Sequence, residues 1–345
     1  MKKTCAAGIL LLLSAGLAFA QVIDQPVARV RLTKPEVITQ RQFRQQIGMI
    51  ESQAGQSMSQ EDRRRMLDMQ VGDLLIDQAA ARDNFRVTEN ELNENIALYK
   101  RQRVPPSVSD AQFRTMLQNQ TGLSWDDFTT TTRKRLIREK YVRDKKRAVF
   151  ADIKEPTEAQ ILQIYEENAT DFTNPQLLRF NQVYISTQGL SEVEKQQARK
   201  RAEEALAELR GSQFKDVVLK YSDDTNTKYK GGDAGYHARN DGQRQAMLGK
   251  SFYNAIFALA VNQTSAVLES NIGLHIVQIS EKRGPKLLGL KDPVFPGVSE
   301  TVEERIKRSV RVQNEQVTFL RAMNDLVEEL KKNAEVTIYE QNLTW

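Results

Sequence analysis

Residues 221–237, YSDDTNTKYKGGDAGYH, crowd Asp223, Asp224, Asp233, a Gly pair and one of the chain's two histidines, His237, into a single short stretch. Acids beside glycines could hold a cation, cradle a phosphate or serve acid–base chemistry. A calcium loop would begin at Asp224, but Lys228 stands at a ligand position, Tyr229 where the turn needs Gly, and Gly235 where a bidentate Glu belongs. Lys230 with Gly231 and Gly232 lacks the G-x-x-x-x-G-K-[ST] of a phosphate loop, and no strand runs directly into it. With His237 and His275 the only histidines, and neither H-E-x-x-H nor G-x-S-x-G in the chain, metal-assisted hydrolysis and triad chemistry have little to work with. No metal and no cofactor is expected, and no covalent bond is expected to be broken.

The elements around this stretch fall into two patterns. From Thr39 to about Ala148, Ser or Thr followed three residues later by Gln, Glu or Asp opens one apolar helical stripe after another. The pairs are Thr39 with Gln42, Ser59 with Asp62, Thr88 with Glu91 and Ser124 with Asp127, and Thr157 with Gln160 adds a further one. VARVRL at 27–32 and EVTIYE at 335–340 alternate like half-buried strands. Between Ser299 and about Lys332, Val302, Ile306, Val310, Val317, Leu320, Met323, Val327 and Leu330 form one long helical stripe. A strand at each end, with helices enough to surround both, places the two ends in one helical domain and makes the middle an insertion. Met49, Met58, Met66, Met69 and Met116 are read as filling the helical interior, with an adaptable client surface as the alternative.

The middle runs strand (RFNQVYIST, 179–187), helix from Ser191 with Ala198, Ala202, Ala205 and Leu209 inward, short helix, the opening stretch, helix from about Ser251 to Leu259, and strand (HIVQISEK, 275–282). This is a compact α+β unit. Pro285, Pro293, Pro296 and Gly297 mark the linker after it.

Residues 1–20 place Lys2 and Lys3 before the apolar run Gly8–Leu13 and end with Ala18 and Ala20, the pattern of a removable secretory signal peptide. The apolar run is shorter than the roughly 20 residues of a spanning helix, so no stable membrane insertion is expected. Cys5, the only cysteine, lies within this leader, which leaves the mature chain without a disulfide. The formal net charge of +5 is small and scattered. RKRLIREKYVRDKKR at 133–147 carries nine basic residues, but Leu136, Ile137 and Tyr141 give it a buried side, so it reads as a solvated helix face and no nucleic-acid partner is expected.

YSDD at 221–224, GGDAGY at 231–236, FYNAIFAL at 252–259 and GLHIVQI at 273–279 resemble, in order and spacing, the parvulin family of peptidyl-prolyl isomerases. The blocks of that family read Y/F-S-D-C/D, G-G-D-L-G, F-x-x-A-x-F-x-L and G-x-H-I-I. The flanking helices are similar to the chaperone domain of SurA-type and PpiC-type exported folding factors. The resemblance implies a discontinuous helical chaperone domain, 21–172 with 284–345, and an inserted parvulin domain, 173–283, with a four-stranded antiparallel sheet.

The resemblance also implies roles. Phe252 becomes the floor of a prolyl pocket, with Leu248 one turn earlier; Phe257 and Leu259 are core. Asp224 lies near the bond that twists, where its carboxylate either polarises the amide or caps its own loop. Asp223 and Asp233 are structural. His275 shares a strand face with Val277 and Ile279 and is expected to be buried; the family pairs it with a second histidine, but here the first-strand position is Gln182, which can hold a neutral tautomer and cannot share a titrating proton. Ala234 stands where Leu is usual, and Ile272 replaces a small polar residue. These three departures weaken the expected isomerase. His237 matches no family position and is read as a solvent-exposed turn residue.

Two functions follow from the resemblance. One is a periplasmic prolyl isomerase assisting the folding of exported or outer-membrane proteins; the other is a non-catalytic holdase whose parvulin unit only binds peptide. Both take unfolded or proline-containing exported polypeptides as partners.

Overall fold

The computed structural model describes residues 24–345, so the leader read at 1–20 lies outside the described residues. The chain divides into two compact units, one ending at Ile153 and resuming over Asn314–Trp345, the other Lys154–Gln313.

In the first unit, the strand Pro26–Arg31 is the centre of a three-stranded antiparallel sheet, between Pro35–Thr39 and Glu335–Ile338. The register sets Ala28 opposite Ile338 and Val30 opposite Val336, so the two chain ends do share one sheet. Helices follow over Gln40–Ala54, Gln60–Arg82, Glu89–Arg103, Asp110–Thr121 and Trp125–Lys145. Thr39, Ser59, Thr88 and Ser124 each accept a backbone N–H at the start of their helix as the spacing predicts, a contact typically contributing about 1 kcal/mol. Ser109 with Gln112 closes a further capping box for a helix that the apolar pattern had not disclosed. Val27, Val30, Phe43, Leu67, Leu75 and Tyr141 form the main core. Met58, Met66 and Met116 pack against apolar clusters, whereas Met49 and Met69 are exposed. In the basic stretch 133–147, eight of the nine cations are in ion pairs, Arg138 with both Asp73 and Asp77, so the run is a paired face rather than a free positive patch.

The long helix spans Val302–Lys331, with Thr301 and Glu304 exchanging the two bonds of a capping box. Its expected single stripe breaks. Val302 and Ile306 enter a core with Ile161, Leu288 and Val294, Ala322, Leu326, Val327 and Leu330 enter the other unit's core, and Val317 and Leu320 between the two runs are half exposed. One helix serving two cores need not keep one face buried throughout.

The second unit holds a four-stranded antiparallel sheet in the order Asp233–Ala238, Leu177–Ser186, Gly273–Arg283, Leu268–Glu269. Alternation along the two long strands sorts their side chains. Val183, Ile185, Leu274 and Ile276 pack under the helices Glu192–Glu208 and Phe214–Tyr221. Leu178, Phe180, Val277 and Ile279 pack against Gly242–Leu248 and Lys250–Ala258. Because successive strand residues face opposite ways, Phe180, Gln182 and Tyr184 share the second face, as do His275 and Val277. The fold is α+β.

Candidate functional site

Gln182 pairs in register with Val277, and Tyr184 with His275. Gln182 and His275 are therefore diagonal neighbours on one sheet face, within side-chain reach. The Gln182 amide Oε1 lies 3.0 Å from His275 Nδ1, and its Nε2 donates to Asp224 Oδ2 at 3.1 Å. Since a carboxylate only accepts, the amide has one orientation. Oε1 then requires a proton on His275 Nδ1, which leaves Nε2 to accept from the Ser270 hydroxyl at 2.8 Å. His275 is 2% exposed, and burial pushes its pKa down to about 4, opposed by the Asp224 charge. The ring is neutral at neutral pH.

Asp224 is held from two sides. The turn Ser222–Asp223 is moored to the backbone of Tyr184, whose N–H donates to Ser222 Oγ and whose carbonyl accepts from Asp223 N at 2.7 Å. Asp223 also accepts from Ser186 N and pairs with Arg201. Beyond it, Asp224 accepts from Asn226 N at 3.1 Å and Thr227 Oγ1 at 2.6 Å. Asp224 thus does cap its own loop, and it also holds Gln182. Gly232 closes the loop against the first strand: its carbonyl accepts from Gln182 N, its φ is +85°, and a Cβ there would lie 2.5 Å from Gln182 O. Only Gly fits that position. Asp233 accepts from Gly235 N and pairs with Arg179, a structural role.

Asp224, Gln182 and His275 line a cleft of about 440 Å³, together with Phe180, Tyr184, Asn226, Thr227, Ala234, His237, Arg244, Met247, Leu248 and Ile272. Of the residues singled out from the sequence, Asp224, Gln182, His275, Leu248, Ala234 and Ile272 all lie on its wall. Phe252 is 2% exposed and sits in the core, its ring 4.5 Å from that of His275. It supports the histidine from beneath.

His237 is not the exposed turn residue expected. It is 6% exposed, its ring 4.7 Å from Phe180, and its buried Nδ1 has no hydrogen-bond partner among the described residues. The cause is a β-bulge: Arg179 to Asn181 spans two residues while the facing Tyr236 to Asp233 spans three, with Gly235 at φ +73° supplying the left-handed residue. The bulge shifts the strand's phase, so Ala234 and His237 both face the cleft. Burial pushes the His237 pKa down to about 4, and the Arg244 charge adds to the effect.

A PPIC-type PPIASE domain matches residues 163–283, and a SurA-like N-terminal domain matches residues 8–142. The chain is similar to SurA and PrsA chaperones. "Chaperone SurA" of Hahella chejuensis is 24% identical over 336 residues, 94% of this chain and 70% of that protein. "Foldase protein PrsA" of Oceanobacillus iheyensis is 23% identical over 253 residues, 72% of this chain and 69% of that one. The crystal structure of PrsA from Bacillus subtilis is 20% identical, covering 86% of this chain and 88% of that chain, with a TM-score of 0.30.

The residues of the site that sequence reasoning passed over were Phe180, Tyr184, Asn226, Thr227, Ser270, Arg244 and Met247. Tyr184 was legible, two residues along the strand from Gln182. Its hydroxyl donates to the Ile272 carbonyl at 2.9 Å and its ring centroid is 5.0 Å from that of His275. Ser270 and Arg244 had no local signal, since each acquires its place through a turn or a short helix.

Proposed function

We propose that the cleft binds X-Pro segments of unfolded polypeptides and isomerises the prolyl bond, and that the chain acts as an exported, periplasmic folding factor, with residues 173–283 as the isomerase domain and the helical segments as its chaperone domain. The observation carrying this reading is the hydrogen-bonded chain Asp224–Gln182–His275, anchored behind by Ser270, on the wall of a cleft that also presents the apolar side chains of Ala234, Met247, Leu248 and Ile272.

The barrier to twisting a prolyl amide is about 18–20 kcal/mol, and no nucleophile is needed to lower it. A site does so by fitting the twisted amide better than the planar one. Leu248, Ala234, Ile272 and Met247 offer the ring an apolar wall, and Asp224 fixes a negative charge beside it. Gln182 and the neutral His275 hold that carboxylate in place and carry no charge of their own, so the electrostatics at the bond come from groups that need not reorganise. Ala234 leaves the ring wall shallower than a leucine would, which fits a modest rate.

The deciding experiment is a proline-tetrapeptide isomerisation assay comparing the intact protein with Asp224→Ala, alongside aggregation of an unfolded client. The expected outcome is a rate above background that falls about tenfold or more in the variant, equivalent to about 1.4 kcal/mol of barrier. No rate above background with intact protein that still slows aggregation would replace isomerisation with the holdase reading, which Gln182 at the first-strand position favours. Loss of neither rate nor aggregation protection in the variant would remove Asp224 from the chemistry.

A further inference from the structure

Two charged side chains line the cleft, Asp224 and Arg244, and they differ in how far they are already satisfied. Asp224 has Oδ1 committed to Asn226 N and Oδ2 to Thr227 and Gln182. Arg244 is tethered at two of its three nitrogens. Its Nε lies 3.5 Å from Asp241 Oδ2 and its Nη1 donates to the Tyr236 carbonyl at 3.2 Å, while Nη2 has no partner among the described residues. The helix that carries it is fixed in turn by Asp241, which caps Arg244 N at 2.9 Å. The Arg244 side chain is 40% exposed, so its charge faces the solvent that a peptide would displace.

From this arrangement we infer that Arg244 is a specificity-determining residue, selecting client segments that carry a carboxylate side chain next to the proline. The inference rests on the cleft being the X-Pro site. A guanidinium already held by one hydrogen bond and one ion pair loses little freedom on gaining a further bond, so a carboxylate meets a prepared donor at Nη2. His237 beside it is neutral at neutral pH and offers no competing charge. A lysine at the same place would meet the like charge of Arg244, while three of the four acceptor sites of Asp224 are already taken by Asn226 N, Thr227 Oγ1 and Gln182 Nε2. Discrimination therefore comes from attraction to one residue type and repulsion of the other.

The test uses the full chain and a set of proline peptides with Glu, Ala or Lys on either side of the proline, measuring both binding by fluorescence anisotropy and the isomerisation rate. At one of the two positions Glu is expected to be preferred over Lys by about fivefold or more, the scale of a partly exposed ion pair against a like-charge contact. The preference should disappear in Arg244→Gln, persist in Arg244→Lys, and shrink in the unaltered protein at about 0.5 M salt. The Glu-to-Lys preference within each form, not the absolute affinity for the Ala peptides, is the quantity compared across the three. A Glu preference that survives Arg244→Gln, or equal binding of Glu and Lys peptides by the unaltered protein, overturns the inference and leaves the cleft reading standing. Failure to bind any peptide of the set, Ala included, overturns both.

Discussion

Replacing His237 by Phe tests how the cleft wall is built. The native ring is 6% exposed, lies against Phe180 and Tyr253, and carries a buried Nδ1 without a partner among the described residues. A buried polar atom left unpaired costs about 1–3 kcal/mol, and Phe removes it while keeping the aromatic contacts; the larger ring can extend into the open cleft. At about pH 7.5 the variant should be more stable by about 1–2 kcal/mol. The second effect depends on pH. The folded pKa of about 4 lies below the ordinary 6.5, so between those values the unfolded chain binds a proton that the folded one does not. Stability from this group is intact above pH 6.5 and is lost as pH falls to about 4, to a total of about 3 kcal/mol for a shift of this size. His237→Phe should therefore flatten the acid side of the stability curve, although His275 retains its own share. Both tryptophans, Trp125 and Trp345, lie in the other unit, so urea unfolding should be followed through the Ile276 and Ile279 methyl signals at about pH 7.5, 6 and 4.5. A variant less stable than the native protein at all three, or one with an unchanged acid slope, would refute the reasoning.

Gly232→Ala should destabilise the second unit by about 2 kcal/mol or more, because it adds a left-handed φ penalty to a contact with the Gln182 backbone; an unaltered midpoint for the same methyl signals would contradict the assigned loop closure. Gln182→Glu should raise the His275 pKa from about 4 by about one unit or more, since it sets a carboxylate against Nδ1. Imidazole NMR titration reads this directly, and an unmoved midpoint would mean that Gln182 does not contact His275 in solution. Arg138→Met should cost the first unit about 1–2 kcal/mol by leaving Asp73 and Asp77 facing each other without their shared cation, seen as an earlier tryptophan-reported transition; an unshifted transition would show that the pair network adds nothing.

What the sequence made legible was mostly local. A cap and a stripe are properties of a few consecutive residues, so Thr88 with Glu91 and Thr157 with Gln160 formed the boxes their spacing announced. The pairing of the chain ends was also readable, because both strands alternate, although the nearer partner Pro35–Thr39 on the other edge went unread. The long helix was misjudged because its stripe was read as serving one core, whereas Val302 and Ala322 belong to different ones. The candidate site lay in between. Asp224, Gln182 and His275 could be picked out, but that they form one hydrogen-bonded chain depends on strand register, which no single segment contains.

The histidine at 237 shows why such a site resists reading from its residues alone. Strict alternation from Ala234 puts Tyr236 on the same face and His237 on the opposite one, and the sequence offers no reason to count otherwise except a Gly that could equally mark an ordinary turn. The bulge at Gly235 adds one residue to the count and turns His237 inward, with Tyr236 directed instead toward Glu281 and Arg283. The same shift leaves the Tyr236 carbonyl to accept from Arg244. One left-handed glycine therefore sets both the neutral and the cationic side chains on that wall of the cleft, and the side chains that distinguish this wall are consequences of backbone phase before they are consequences of residue type.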